Sequence, residues 1–474
     1  MSLLHTLPQP ATKAQWIAVW ALLIAAFVSL LDVTVVNLAV PSIARDLGAT
    51  GTQSQWILLA YLVPFAALLL PLGRFGDVLG RRRLFLIGVL AFTIGGLGAG
   101  TAQNIATLII ARTCQGIGAA TMMPQVLALT QVILPPEQRR RAVGYFGMVS
   151  ALGAIAGPIV GGLILTVDPF GLGWRMIFLA ALTPCVLSAA VVAVYVPRDA
   201  TRTLKRLDVR NGALVALAVT GLVYAAVQGR VFGWPIWIVA IPPASLLILA
   251  YVARNQLYHV RSGIEPLLPG ALLLSRPFLQ GAAMILLVFC GIAGVPFLLA
   301  LALQAGPQLS PGAVAVALVA HPVFAAMGAA IAGRIAPANP WALPCLGSAL
   351  TCGGVVLVIL AFWTFGDGIG VLSLLLPLSL IGFGMGLSNV SLMSNTLALA
   401  PKEFAGAASG VIQTGQQIGI TLSIAIVGGL YLGRLGSTTA DAAALALVFP
   451  AIVFAAATVL CLLAARRGQH EVTG

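Results

Sequence analysis

Long apolar runs separated by short polar segments make up most of the chain, and each run is close to the length that crosses a bilayer. A membrane-spanning helix needs about 20 mostly apolar residues. Fourteen runs meet this requirement: 16–40, 54–73, 84–103, 107–133, 142–166, 175–196, 211–229, 236–253, 277–303, 311–333, 343–364, 371–399, 406–433 and 442–464. The pattern therefore predicts an all-α integral membrane protein with fourteen spans.

The composition agrees with a chain that lies mostly within a lipid bilayer. Of its 474 residues, 60% are apolar and 8% are charged, whereas soluble proteins carry about 25% charged residues. The formal net charge of +13 would suggest nucleic acid in a soluble protein. Here the basic residues form short clusters between the apolar runs, so they indicate topology, and we expect no nucleic-acid partner.

The distribution of Lys and Arg predicts the orientation of the spans. If the N-terminus is cytoplasmic, 20 of the 25 basic residues lie in inside segments and four lie outside, with Arg112 left within a span. Positive charge is enriched in cytoplasmic segments of membrane proteins. Both termini are therefore expected inside, in a multi-pass protein of the cell inner membrane. Residues 1–15 show no cleavable signal pattern.

A weak internal repeat relates the two ends of the chain. At a constant offset of 266 residues, Gly, Pro and Glu positions recur without a gap: Gly116 with Gly382, Gly118 with Gly384, Pro135 with Pro401, Glu137 with Glu403, Gly144 with Gly410, Gly153 with Gly419 and Gly162 with Gly428. Spans 1–6 and 9–14 then form two parallel six-helix bundles, and spans 7–8 form an inserted hairpin. The predicted division is 1–196 for the first bundle, 197–275 for the hairpin with its linkers, and 276–474 for the second bundle.

Two ionisable residues lie inside apolar runs and need partners there. Asp32 is the one acid clearly within a span, and Arg112 is the lone cation deep in the fourth run. An intramembrane charge is costly unless it is paired, hydrated or neutralised, so each residue is the other's cheapest partner, directly or through water. Asp32 is the candidate for loading and releasing a proton. A purely structural Asp32, or an Arg112 that extends to the outer surface, remains open.

The segment after the second run contains a Gly-rich turn signal around an acid. Gly73 and Gly80 are expected to allow a tight loop against neighbouring backbone, and Arg81 follows immediately. Asp77 can accept hydrogen bonds from arginines or from a helix N-terminus. We interpret this segment as a cytoplasmic loop with a structural role.

The fifth run carries small residues at helical spacing. Gly153, Gly157 and Gly161 recur every four residues, so they form one smooth face for close helix approach. Pro158 removes a backbone donor and bends the helix. Generic small-residue packing explains the glycines but not the position of the proline beside Gly157.

These motifs resemble those of the fourteen-helix drug:proton antiporters of the major facilitator superfamily. The matching strings are G-x-x-x-D-x-x-G-R after the second run, L-D-x-T-V-V-N-x-A-x-P in the first, R-x-x-Q-G-x-G-A-A in the fourth, G-x-x-x-G-P-x-x-G-G in the fifth and W-R-x-I-F at the start of the sixth. The resemblance implies a major facilitator fold whose two bundles rock around a midplane site. It implies that Asp77 latches the outward-closed state, that Arg112 takes part in proton transfer and that the fifth-run motif belongs to exporters.

Neutral polar residues complete the candidate site. Candidates for the substrate cavity are Asn37, Gln115, His321, Gln416 and Gln417. His321 could titrate near neutral pH, although a packing histidine is the favoured interpretation. The family often has an Arg-Gln pair where this chain has Gln416 and Gln417, which leaves open whether that position binds substrate.

The expected function is proton-coupled export of amphipathic, drug-like small molecules by a monomer that is not an enzyme. The chain contains no Walker loop, HExxH or GxSxG context, so we expect no ATP-driven step, cofactor or metal. The six cysteines form no CxxC pair and are expected to be packing residues. A dedicated exporter of one metabolite or self-made antibiotic is the alternative. A membrane enzyme or sensor would need a catalytic cluster or soluble domain that the sequence does not contain.

Overall fold

The computed structural model describes residues 11–198, 208–261, 270–335, 339–401, 404–434 and 438–473, and within these ranges the chain is almost entirely helical. Fourteen helices are long and apolar enough to cross a membrane, which confirms the predicted number of spans. They are α1 Lys13–Leu47, α2 Gly51–Leu79, α3 Arg81–Gly100, α4 Ile105–Ile133, α5 Pro136–Val167, α6 Arg175–Tyr195, α7 Val209–Gln228, α8 Ile236–Arg261, α9 Arg276–Ala305, α10 Pro311–Ala332, α11 Ala342–Phe365, α12 Val371–Ala398, α13 Ala405–Leu432 and α14 Thr439–Thr473.

Capping residues fix the tight connection between α1 and α2. Gly48 ends α1 in the left-handed region with φ of 61°, a conformation that glycine adopts without a steric penalty. Thr50 then begins α2 as a capping box, in which its side chain accepts a hydrogen bond from the Gln53 backbone while the Gln53 side chain bonds back. Three residues therefore reverse the chain, and α1 and α2 run antiparallel.

The same helix pairs pack together near both ends of the chain. In the first half the packed pairs are α1 with α4, α5 and α6, α2 with α4, and α3 with α4 and α6; in the second they are α9 with α12, α13 and α14, α10 with α12, and α11 with α12 and α14. Each pair thus recurs eight helices later, as the internal repeat requires. The exact domain limits at 196 and 275 stay predictions.

Two glutamine amides connect the halves at one end of the bundle. Gln55, near the start of α2, donates from Nε2 to the Ile424 and Ala425 carbonyls of α13, at 3.3 Å each. Gln304, near the end of α9, donates to the Leu38 carbonyl of α1 at 3.2 Å. We call this end of the bundle the bridged end. Contacts between α2 and α13, between α5 and α10, and between α1 and α9 accompany these bonds.

The hairpin of α7 and α8 attaches through its first helix. α7 packs on α2 and on α13, whereas α8 packs mainly on α7, and 17% of the most apolar stretch of α8 is buried. At the bridged end, Arg230 donates to the Gly429 carbonyl near the end of α13 at 2.7 Å. A cation at a helix C-terminus is stabilised by the helix dipole, so this bond fixes the hairpin to α13.

Candidate functional site

A buried ion pair joins α1 to α4. The Arg112 Nη1 lies 2.5 Å from the Asp32 Oδ2, and the two side chains are 0% and 3% exposed. The expected partnership of Asp32 with Arg112 is therefore present as a direct contact. Snorkelling of Arg112 to the outer surface, the alternative drawn from the sequence, is wrong in this structure because the guanidinium points into the bundle and is enclosed.

Arg112 makes further contacts inside the first half. Its Nη1 also donates to the Gln115 Oε1 at 2.9 Å, and its Nε donates to the Ile57 carbonyl of α2 at 3.2 Å. Its Nη2 and the Gln115 Nε2 are buried without a hydrogen-bond partner among the described residues. One guanidinium thus links α1, α2 and α4 and still holds an unused donor, which is costly in an apolar interior.

Two aromatic rings cover the guanidinium. The Arg112 Cζ lies 4.5 Å from the centroid of the Tyr61 ring on α2 and 5.6 Å from the centroid of the Phe178 ring on α6. Tyr61 is held in turn by Ser29 on α1, whose hydroxyl lies 2.8 Å from the Tyr61 hydroxyl. Phe178 ends the W-R-x-I-F motif, whose resemblance implied no role for it, and no motif in the sequence includes Tyr61 or Ser29.

The glycines of α5 pack against α1 directly beside this cluster. The Thr34 Oγ1 donates to the Leu31 carbonyl at 2.9 Å and to the Gly153 carbonyl at 3.3 Å. A Cβ placed on Gly157 would fall on the Thr34 hydroxyl, whereas a Cβ on Gly161 would have ordinary contact at 3.4 Å from Leu38. The smooth face is therefore strictly required at Gly157. Pro158 is buried next to it.

The Gly-rich segment after the second run is helical rather than a loop. α2 continues to Leu79, so Gly73 lies inside the helix, and the single turn residue is Gly80 with φ of 99°. The expected loop over Gly73–Leu79 is wrong, because the backbone keeps its helical hydrogen bonds to the last turn. Arg81 begins α3 and donates to the Ala128 carbonyl of α4 at 3.2 Å. The side chain of Asp77 lies outside the described residues.

Among the described residues, the polar candidates of the second half make no hydrogen bond with the Asp32–Arg112 pair. The Gln416 Nε2 donates to the Asn389 Oδ1 of α12 at 3.3 Å, and Gln417 is half-buried one residue further along α13. The His321 Nε2 on α10 is buried without a hydrogen-bond partner in the described part of the chain. In the first half, Asn37 is 8% exposed and its Oδ1 is likewise unsatisfied.

A lateral cavity lies between the hairpin and the first half. It has a volume of about 300 Å³, and its lining comes from α2, α4 and α7, including Trp56, Pro64, Ile109, Ala216 and Thr220. None of its lining residues belongs to α9–α14. The hairpin therefore contributes to the wall of this side cavity, and its absence from the substrate path stays a prediction.

In the described part of the chain, fourteen apolar helices and a repeated packing pattern define a polytopic α-helical membrane protein. The sequence profile of the Major Facilitator Superfamily matches residues 22–424. The chain belongs to this superfamily, as the motifs indicated.

Curated relatives include antibiotic and drug exporters. A protein of Streptomyces coelicolor named as a probable actinorhodin transporter is 35% identical over 90% of this chain and 74% of its own length. The puromycin resistance protein pur8 of Streptomyces alboniger is 31% identical over 90% of this chain and 84% of its own. The multidrug resistance protein Stp of Mycobacterium tuberculosis is 28% identical over 87% and 75%.

Solved structures share the fold at low identity. A POT family transporter in complex with 5-aminolevulinic acid superimposes with a TM-score of 0.71 at 14% identity, covering 97% of both chains. The xylose transporter XylE of E. coli gives a TM-score of 0.62 at 14% identity, covering 94% of this chain and 97% of its own. These likenesses confirm the major facilitator fold.

Proposed function

We propose that this protein is a proton-coupled secondary transporter that exports amphipathic, drug-like small molecules across the cytoplasmic membrane. The observation that carries the proposal is the Asp32–Arg112 pair, which places one acid and one permanent cation in a sealed site within the membrane helices. Such intramembrane acids commonly bind and release protons in transporters. The names of the curated relatives, which refer to antibiotic transport and to antibiotic or multidrug resistance, support the class of cargo.

The proton cycle follows from the chemistry of the pair. With Asp32 ionised, its carboxylate neutralises Arg112 and holds α1 against α4. A proton that enters from outside converts the carboxylate to a neutral acid and weakens this bond, since the guanidinium does not lose its own proton. Release of the proton inside restores the pair. Each cycle therefore strengthens and weakens one contact between α1 and α4.

α1 can transmit this change to the contacts between the halves. Leu38 lies six residues beyond Asp32, or about 9 Å along a helix that rises 1.5 Å per residue. Its carbonyl accepts the bond from Gln304 of the second half. We infer that a shift of α1 on protonation changes this bond, so that proton binding at Asp32 is coupled to the contact between the halves at the bridged end.

The distribution of Lys and Arg assigns the bridged end to the outside and both termini to the cytoplasm. In this conformation the cargo then enters from the cytoplasm, and opening of the bridged end releases it. The motif residues Gly73, Asp77, Gly80 and Arg81 act at the opposite end as a latch in this scheme. We propose that the transporter works as a monomer.

Unsatisfied amide atoms are the best candidates for holding the cargo. The Gln115 Nε2 and the Asn37 Oδ1 are buried without partners among the described residues, so each gains a hydrogen bond if a polar group of the cargo reaches it. Gln416, Gln417 and His321 are the proposed contributions of the second half. Together they offer neutral hydrogen-bonding groups that suit amphipathic molecules with few charges.

Efflux driven by an imposed pH gradient tests the coupling. The purified protein is placed in vesicles, and dye and drug movement is measured for the wild type and for Asp32→Asn. Asparagine keeps the shape of the side chain but binds no proton, so gradient-driven transport should be lost while membrane insertion is kept. Asp441→Asn, at an exposed position at the start of α14, is the matched control. Near wild-type active transport by Asp32→Asn would refute the coupling site.

A dedicated exporter of one metabolite or self-made antibiotic is the alternative. It is favoured by the relative named for a single antibiotic, actinorhodin, at 35% identity. A panel of structurally unrelated dyes and antibiotics in the same vesicles separates the two functions. Transport of several unrelated compounds supports the broad exporter, and transport of a single chemical class supports the dedicated one.

A further inference from the structure

The Arg112 guanidinium lies under two ring faces in a site that excludes solvent. Its Cζ is 4.5 Å from the Tyr61 centroid and 5.6 Å from the Phe178 centroid, and all three side chains are 0% exposed. A cation within about 6 Å of a ring face is attracted by the ring quadrupole, and the attraction is larger when water is excluded. Three different helices supply the cation and its two rings: α4, α2 and α6.

Protonation of Asp32 removes the negative charge that neutralises Arg112. The arginine remains positive, because its guanidinium is not deprotonated in proteins. After protonation its hydrogen-bond acceptors, which include the Gln115 Oε1 and the Ile57 carbonyl, are all uncharged. A buried charge without its counter-ion is strongly destabilising. Other groups must therefore stabilise the cation during the protonated part of the cycle.

Tyr61 is placed so that it can do this without moving. Its hydroxyl lies 2.8 Å from the Ser29 hydroxyl and donates to the Ser29 carbonyl at 3.3 Å. Ser29 precedes Asp32 by three residues and so lies on the same face of α1. Tyr61 belongs to α2, and the Ile57 carbonyl one turn earlier on α2 also accepts a hydrogen bond from Arg112, so the ring stays over the guanidinium whichever protonation state Asp32 has.

We propose that Tyr61 and Phe178 form an aromatic clamp that holds the charged Arg112 in place while Asp32 is protonated. They are positioning residues for the proton-coupling step. This inference rests on the proposed function, in which Asp32 carries the proton. In the ionised state the carboxylate neutralises the guanidinium and the rings add little. In the protonated state the rings supply the remaining attraction.

The clamp predicts the direction of a pH effect. Without it, the protonated state, with its uncompensated Arg112, becomes less favourable than the ion-paired state. Proton binding then needs a higher proton concentration, and the midpoint of the transport pH profile moves to lower pH. Among the described residues, the Tyr61 phenol on α2 and the Cys185 thiol on α6 also interact electrostatically with Asp32, and neither is charged near neutral pH.

The test compares pH profiles of vesicle transport for clamp variants. Tyr61→Leu and Phe178→Leu remove a ring, whereas Tyr61→Phe keeps the ring and loses the bond to Ser29. We expect Tyr61→Leu to move the midpoint down by roughly one pH unit, a tenfold change in proton concentration, from a desolvated cation–π attraction. Phe178→Leu should move it less, because its ring is farther away. Tyr61→Phe should stay near the wild-type midpoint.

Phe65→Leu is the matched control. Phe65 lies one turn further along α2, is 3% exposed and packs edge-on against Tyr61 at 5.7 Å between centroids. The Phe65→Leu substitution creates a similar packing defect without removing a ring from Arg112. The midpoint of its transport pH profile should therefore not move. Gel filtration of each variant checks folding, and the Phe178→Leu profile decides the matter if Tyr61→Leu does not fold.

Three outcomes would overturn the clamp. The first is an unmoved midpoint in every folded ring-deletion variant. The second is an equal shift in Phe65→Leu, and the third is an equal shift in Tyr61→Phe, which would assign the effect to the hydroxyl. The Asp32→Asn result separates these from failure of the proposed function. If Asp32→Asn abolishes gradient-driven transport while the clamp variants behave as wild type, only the clamp is refuted.

Discussion

Adding one methyl group at Gly157 tests the close contact of α5 with α1. In Gly157→Ala the new Cβ would fall on the Thr34 hydroxyl and lie 2.6 Å from the Thr34 Cβ. Carbon atoms pack best at about 3.5–4.0 Å, so the helices must separate by roughly 1 Å, or Thr34 must leave its place. Leaving breaks its bonds to the Leu31 and Gly153 carbonyls.

The cost can be worked from these contacts. Overpacking of a tight core costs about 1–3 kcal/mol. Losing the hydrogen bond of Thr34 costs about 1 kcal/mol. We expect a destabilisation of about 2 kcal/mol, which is roughly 30-fold in the equilibrium between packed and separated helices. Gly161→Ala should cost little, because its Cβ would have ordinary contact at 3.4 Å from Leu38.

Thermal stability in detergent and efflux from vesicles are the two assays. Gly157→Ala should melt at a lower temperature and transport more slowly than Gly161→Ala, which has the same change of residue. Thr34→Ala in the Gly157→Ala background removes the nearest clashing atom and should recover part of the loss, as expected for residues in direct contact. Equal stability and transport in the two single variants would show that the α1–α5 contact does not depend on this position.

Three further predictions concern the bridged end, the latch and the hairpin. Gln55→Leu removes the bonds to α13 and should weaken the bridged end by about 1 kcal/mol; spin-label distances across that end should lengthen in a larger fraction of molecules, and an unchanged distribution would contradict the role of the amide. Asp77→Asn should lower the maximal transport rate more than the binding affinity, and a large loss of affinity at an unchanged rate would refute the latch. Leu246→Trp and Leu247→Trp, on the exposed face of α8, should leave efflux unchanged if the hairpin is peripheral; lost efflux at normal expression would argue against this.

The number of helices and the partnership of Asp32 with Arg112 could be predicted from the sequence. The length of an apolar run indicates directly whether it can span a bilayer. With one acid and one cation within the spans, pairing the two has the lowest electrostatic cost. The helical form of Gly73–Leu79 could not be predicted, because a cluster of glycines and charges looks like a loop when the packing partner is unknown. The close approach of Gly76 to Gln125 on α4 is a tertiary contact that the local pattern does not contain.

The aromatic clamp and the glutamine bridges could not be predicted from the sequence either. Tyr61 and Phe178 lie in apolar runs, where most aromatic side chains face lipid or core without a specific role. Gln55 and Gln304 bond to backbone carbonyls, and every residue has a carbonyl, so no pattern of side chains identifies the partner. These contacts depend on how helices distant in sequence are aligned.

The bond from Gln304 to Leu38 joins equivalent positions of the two halves. The two residues are 266 positions apart, which equals the offset of the internal repeat, so they are the same position in the two copies. In a symmetric pair of identical units, a residue on the two-fold axis faces its own copy. A symmetric dimer of six-helix units would therefore have the same side chain on both sides of this contact. In this chain the two positions carry glutamine and leucine, so the contact between the halves is not symmetric at this point.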